Sequence, residues 1–193
     1  MKSVCVFCGS QPGDDPAYEG AARALGETLA AMGIELVYGG GHVGLMGAIA
    51  DAALAAGGEV TGVMPRALVD REIAHTGLTR LHVVGSMHER KAMMSELSEG
   101  FVALPGGSGT LEEFFEVLTW AQLGEHGKPC GLLNVAGYYD PLLAVFDHMI
   151  DQGFLHEKHR AMVLVETEPT AMLAMFEEYR PPKTAKWIDS SET

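Results

Sequence analysis

Seven short runs rich in β-branched and aliphatic residues punctuate the chain: SVCVFC, IELVYG, EVTGVM, LTRLHVV, GFVALP, PCGLLNV and MVLVE. Six stretches with helical spacing of apolar residues lie between and after them, at Ala17 to Met32, Leu45 to Ala56, Met87 to Ser98, Leu111 to Leu123, Pro141 to Gln152 and Pro169 to Tyr179. Strands that alternate with helices are joined by right-handed crossovers, which leave the strands parallel and both faces of the sheet covered. The pattern therefore predicts a doubly wound, Rossmann-like α/β domain with a mainly parallel seven-stranded sheet. A chain of 193 residues with 47% hydrophobic and 20% charged residues matches one such domain over residues 1–180. Pro181 and Pro182 stop the last helix, and residues 181–193 are expected to form a flexible polar tail.

Charge and cysteine usage narrow the function. With 13 Lys and Arg against 26 Asp and Glu, the net charge of −13 repels polyanions and argues against nucleic acid or an anionic membrane as partner. The N-terminal apolar run is too short for a signal peptide and no stretch reaches the roughly 20 apolar residues of a spanning helix, so the expected location is the cytoplasm. Cys5, Cys8 and Cys130 form no CxxC pair of pairs, and Cys5 and Cys8 fall on opposite faces of one strand. Buried packing is the expected role for all three. His42 and His88 have no second ligand at metal spacing, so no metal is expected.

Ligands of open α/β sheets bind beyond the carboxyl ends of the strands, in the strand-to-helix loops. Three such loops are rich in small residues: CGSQPGDD, GGGHVGLMG and PGGSGTLEE. GGGHVG matches G-x-G-x-x-G, but the next strand ends in Met64, Pro65 and Arg66 rather than the acidic residue a dinucleotide site wants. No Lys-Ser or Lys-Thr follows either, so it is not a Walker A loop. PGGSGT carries more information. Gly106, Gly107, Ser108, Gly109 and Thr110 can aim backbone N–H groups into one concavity at a helix N-terminus, which makes an anion cradle. The competing local reading is a capping box, Thr110 as N-cap with Glu113 reaching back to its amide.

Helical spacing puts Leu111, Phe114, Phe115, Val117, Leu118 and Ala121 on one apolar face, with Glu112 and Glu116 pointing away and Glu113 on its border. Glu113 is thus the carboxylate expected to be partly shielded. Five cationic side chains, Arg66, Arg71, Arg80, Arg90 and Lys91, fall close together in the sequence and are expected to form a positive region at the same sheet edge.

YGGGHVGLMG, MHERK, PGGSGTLEE, WAQLGEHGKP and GLLNVAGYYDPLL, in that order, resemble the LOG (Lonely Guy) family of cytokinin riboside 5′-monophosphate phosphoribohydrolases, over Ser3 to about Tyr179. Members have also carried a lysine-decarboxylase-like label, although no motif here points to a pyridoxal Schiff-base site. The resemblance implies a homodimer that hydrolyses the N-glycosidic bond of a purine nucleoside 5′-monophosphate, giving free base and ribose 5-phosphate without a cofactor. It implies Arg90 and Glu113 as the catalytic pair. Lys91 and the loop of Gly106, Gly107, Ser108, Gly109, Thr110, Leu111 and Glu112 would hold the nucleotide, with Glu72, Thr119 and Ser10 as further contacts. The chain departs at Ser108, where relatives often have Tyr. The rival class is a non-catalytic nucleotide or molybdenum cofactor carrier, which needs the cradle but no carboxylate beside it.

Overall fold

The computed structural model describes residues 1–69 and 74–182. Glu72 and Arg71, and the tail from residue 183 with its Trp187 and Ile188, lie outside the described residues. The seven expected strands are β1 (Ser3–Phe7), β2 (Glu35–Tyr38), β3 (Val60–Pro65), β4 (Arg80–Val84), β5 (Phe101–Ala103), β6 (Cys130–Leu133) and β7 (Val163–Glu166). They form one sheet in the order β4-β3-β2-β1-β5-β6-β7. All its strand pairings are parallel.

Eight α-helices accompany the strands among the described residues: α1 (Pro16–Ala31), α2 (Gly44–Ala55), α3 (Arg66–Val69), α4 (Met87–Glu96), α5 (Ser108–Leu123), α6 (Asp140–Asp151), α7 (Glu157–Arg160) and α8 (Pro169–Glu178). The one-turn helices α3 and α7 are too short to leave a periodic signal in sequence. Local chemistry sets the ends of the longer ones. Asp15 accepts from the Ala17 amide at 2.9 Å ahead of Pro16, a proline at the start of α1 where its missing N–H costs nothing.

Period-two alternation divides the core into two layers. On one side Val4, Val6, Leu36 and Tyr38 pack under α1, α2 and α8; on the other Cys5, Phe7 and Val37 pack with Phe114, Val117 and Leu118 of α5, Met94 of α4 and Phe146 of α6. Cys5 and Cys8 fall in different layers, as their spacing requires, and all three cysteines are buried free thiols.

The strand order reverses at β1. From it the chain runs outward through β2, β3 and β4, then returns through α4 to β5 on the opposite flank of β1. The crevice at such a switch point lies between the loops that leave the two central strands, here CGSQP after β1 and PGGSG after β5.

Candidate active site at the switch point

The glycine loops interlock through their backbones. Gly9 donates to the Pro105 carbonyl at 3.0 Å and Leu45 to the Gly9 carbonyl at 3.1 Å, tying the β1, β5 and β2 loops together. A side chain on Gly44, whose φ is +57°, would strike the Ser10 carbonyl, and one on Gly106 would stand 2.8 Å from the Gly9 amide. Glycine is required where chains approach this closely. Beside this contact lies a cavity of about 290 Å³, lined by Ser10, Gln11, Tyr18, Gly106, Gly107 and Tyr138 among others.

Helix α5 begins at Ser108 with Gly107 as its N-cap and without any side-chain cap. The capping box, the competing reading of this loop, is not formed. Thr110 is already inside the first turn and buried, its hydroxyl turned toward Gly106, and Glu113 is engaged elsewhere. The first N–H groups of a helix have no intrahelical acceptor, and here no side chain of the helix caps them. Gly107, Ser108 and Gly109 are exposed, and the positions a Cβ would take on Gly107 and Gly109 are open space. The macrodipole of a 16-residue helix adds positive potential at this point.

Arg90 comes from α4, whose N-cap Ser86 accepts from the Glu89 amide at 3.1 Å. Its Nη2 lies 3.5 Å from Glu113 Oε1, and the two side chains are 12% and 13% exposed. The guanidinium lies over the end of β2: a Cβ on Gly39 would overlap Nη2, and Met87 Sδ stands 3.8 Å from Nη1. Arg90 Nε is buried without a hydrogen-bond partner. Burial pushes the Glu113 carboxyl above the ordinary glutamate range, and the charge of Arg90 only partly offsets it.

Lys91, next in the chain, takes the other two acids of α5, with Nζ at 2.6 Å from Glu112 and 2.9 Å from Glu116. Burial lowers its affinity for a proton, but the hydrogen bonds it donates to both carboxylates outweigh this and keep the ammonium firmly protonated. The acids of α5 are thus divided between two neighbouring cations.

Ser10 lines the cavity together with Gly106 and Gly107. Leu111 packs into the core beneath α5, and exposed Thr119 donates back to the Phe115 carbonyl at 2.7 Å, away from the cavity. The positive region inferred from sequence is smaller than expected. Arg80 opens β4 at the amino edge of the sheet, where it binds Glu35 at 2.7 Å and Glu59 at 2.8 Å. Sequence proximity misled because a strand separates Arg80 from the carboxyl edge. The roles of Gly39, Tyr18 and Tyr138 were not read from sequence, since their contacts are made with distant segments. Among the described residues no group of three or more His, Cys, Asp or Glu side chains converges as a metal site would need. No helix among them is long and apolar enough to cross a membrane.

Similar proteins place these features in a family. The family model described as "Possible lysine decarboxylase" matches residues 46–176. A cytokinin riboside 5′-monophosphate phosphoribohydrolase of Rhodococcoides fascians is 53% identical over 165 residues, 85% of this chain and 83% of that protein. A probable enzyme of the same name from Oryza sativa subsp. japonica is 50% identical over 182 residues, 94% of this chain and 74% of its own length. One from Arabidopsis thaliana is 47% identical over 94% of this chain and 83% of that one. In fold, the chain is similar to the molybdenum cofactor binding protein of Rippkaea orientalis, with a TM-score of 0.69 at 21% identity over 92% of this chain and 97% of that one. Taken with a match that spans most of the domain and with relatives at about half identity, the chain belongs to the LOG-type family that carries the "Possible lysine decarboxylase" description.

Proposed function

We propose that the protein hydrolyses the N-glycosidic bond of a purine nucleoside 5′-monophosphate, the reaction named for its relatives, releasing free base and ribose 5-phosphate. The observation that carries this reading is the shielded Arg90–Glu113 pair, whose acid stands on the same helix that presents an uncapped amide cradle. In this reading the 5′-phosphate lies on the amides of residues 107–110, and Ser10 closes the cradle from the β1 loop.

Breaking the bond between C1′ and the purine nitrogen builds positive charge on the ribose and negative charge on the base. A carboxylate and a fixed cation answer the two demands. Glu113 holds the ribose hydroxyls or activates the attacking water, a role suited to a carboxyl raised toward neutrality. Arg90 stabilises the departing base or the phosphate by hydrogen bonds from its guanidinium. It does not deliver the proton, because a guanidinium keeps its own. Lys91, clamped in protonated form by two carboxylates, is the reverse of the neutral amine that a Schiff base requires, so the site supports hydrolysis rather than amino-acid decarboxylation.

The likeness to cofactor-binding proteins is one of fold, and fold does not fix function. A carrier has no use for a shielded acid 3.5 Å from an arginine. We further propose a homodimer, as the family resemblance implies, with the exposed Met87 and Leu97 of the α4 region within its interface; sedimentation at dilute concentration tests it. The buried free thiols fit a reducing compartment.

Hydrolysis of AMP, isopentenyladenosine monophosphate and adenosine tests the activity and its base preference together. Two charge-assisted bonds to the phosphate, at about 1.5 kcal/mol each, make AMP about 10²-fold better than adenosine in kcat/KM. Equal rates for the two would remove the cradle from the mechanism.

A further inference from the structure

We propose that Tyr138 is a positioning residue for the phosphate cradle, acting through the peptide between Gly106 and Gly107; the inference rests on the cradle reading above. Tyr138 Oη donates to the Gly106 carbonyl at 2.6 Å across 32 residues of sequence. The peptide bonds of the described residues are all trans, and in a trans peptide the C=O and N–H point in opposite directions. Fixing the Gly106 oxygen toward Tyr138 therefore fixes the Gly107 N–H on the other side of the loop. This peptide has a glycine on each side, so its own φ/ψ preferences do little to prevent a flip that would turn the N–H away. The hydroxyl supplies the constraint that the glycines lack.

The turn that carries Tyr138 is braced as if its position mattered. Ala136 adopts φ 50°, ψ 30°, a left-handed conformation that side chains disfavour. Asn134 holds the turn by accepting from the Tyr139 amide and donating to Asp140, both at 2.7 Å. Tyr139 Oη, buried, donates to the Leu104 carbonyl at 2.7 Å. Two consecutive tyrosines thus grip two carbonyls of one loop, Tyr138 at the cavity and Tyr139 inside the core. Tyr138 is 38% exposed and lines the 290 Å³ cavity with Ser10 and Gly107, its ring edge-on to Tyr18 at 5.5 Å. Tyr139 is the structural member of the pair, and Tyr138 the one that meets the ligand loop.

Tyr138→Phe removes the hydroxyl and leaves the ring. Binding of AMP and of adenosine is measured by titration calorimetry for the wild type, Tyr138→Phe and Tyr139→Phe, with KM and kcat for AMP alongside. The expected result is an AMP affinity about 2- to 12-fold weaker in Tyr138→Phe with adenosine affinity unchanged, which is the worth of one neutral hydrogen bond. The loss appears in KM, with kcat retained. Tyr139→Phe is expected to lower the melting temperature and leave the AMP-to-adenosine ratio alone. The proposal is overturned if Tyr138→Phe keeps the wild-type ratio, if it weakens both ligands equally, or if Tyr139→Phe moves the ratio as much. A wild-type protein that binds AMP no better than adenosine overturns the cradle reading itself, and with it this one.

Discussion

Gly39→Ala separates catalysis from folding more cleanly than any change to the charged pair. The methyl group would occupy the place of Arg90 Nη2, with Cζ at 3.1 Å and Met46 Sδ at an unstrained 3.6 Å. Gly39 has no positive φ, so alanine suits its backbone and lowers the entropy of the unfolded chain, a gain of about 0.4–1 kcal/mol. What must yield is the tip of a flexible side chain. To recover ordinary contact the guanidinium must move by about 1 Å or more, and the nitrogen displaced, Nη2, is the one that stands 3.5 Å from Glu113. Misplacing a reacting or positioning group by about 1 Å costs about 10²-fold in rate. The variant is therefore expected to melt within a few degrees of the wild type while kcat/KM for AMP falls about 10²-fold. Differential scanning fluorimetry and a base-release assay decide it. Activity within threefold of wild type at unchanged stability, about 0.6 kcal/mol in barrier, would show that the position of Arg90 over β2 plays no part in the reaction.

Three other outcomes follow from the same geometry. Glu113→Gln is expected to cost about 10²–10⁴-fold in kcat with little change in melting, because the residue does not cap α5; a large drop in melting with kcat preserved would restore a structural role. The acid limb of the kcat/KM profile is expected above the pH at which an exposed glutamate titrates, since burial raises Glu113, and Glu113→Gln should abolish that limb. Finally, His126 is held neutral by burial, aided by the charge of Lys128, down to about pH 4. Below about pH 6.5 the unfolded chain takes up a proton that the folded chain refuses, so stability falls from there toward pH 4 by up to about 1.4 kcal/mol per pH unit. Urea titrations of wild type and His126→Gln across this window measure it, and equal slopes would refute it.

The sheet was legible because its central strands are buried on both faces and read as uninterrupted apolar runs, such as Val4 to Phe7. Glu113 was legible as the shielded acid because helical phase alone places it at the border of the packed face. The start of α5 was not: Gly109 reads as a break in the pattern, yet in the first turn it forfeits no hydrogen bond and the helix runs through it. Arg80 was misplaced because sequence proximity says nothing about which end of a strand a residue occupies. The contacts of Tyr138 with Gly106 and of Gly39 with Arg90 bridge 32 and 51 positions, and no local pattern records them.

The central claim, a phosphate seated on the amides at the start of α5 with its sugar turned to Glu113, is tested most directly by a crystal structure with ribose 5-phosphate. Phosphate oxygens are expected within about 3.2 Å of the amides of residues 107–110, with C1′ facing the Glu113 carboxylate. A phosphate bound at Lys91 instead, or a sugar directed away from Glu113, would contradict it.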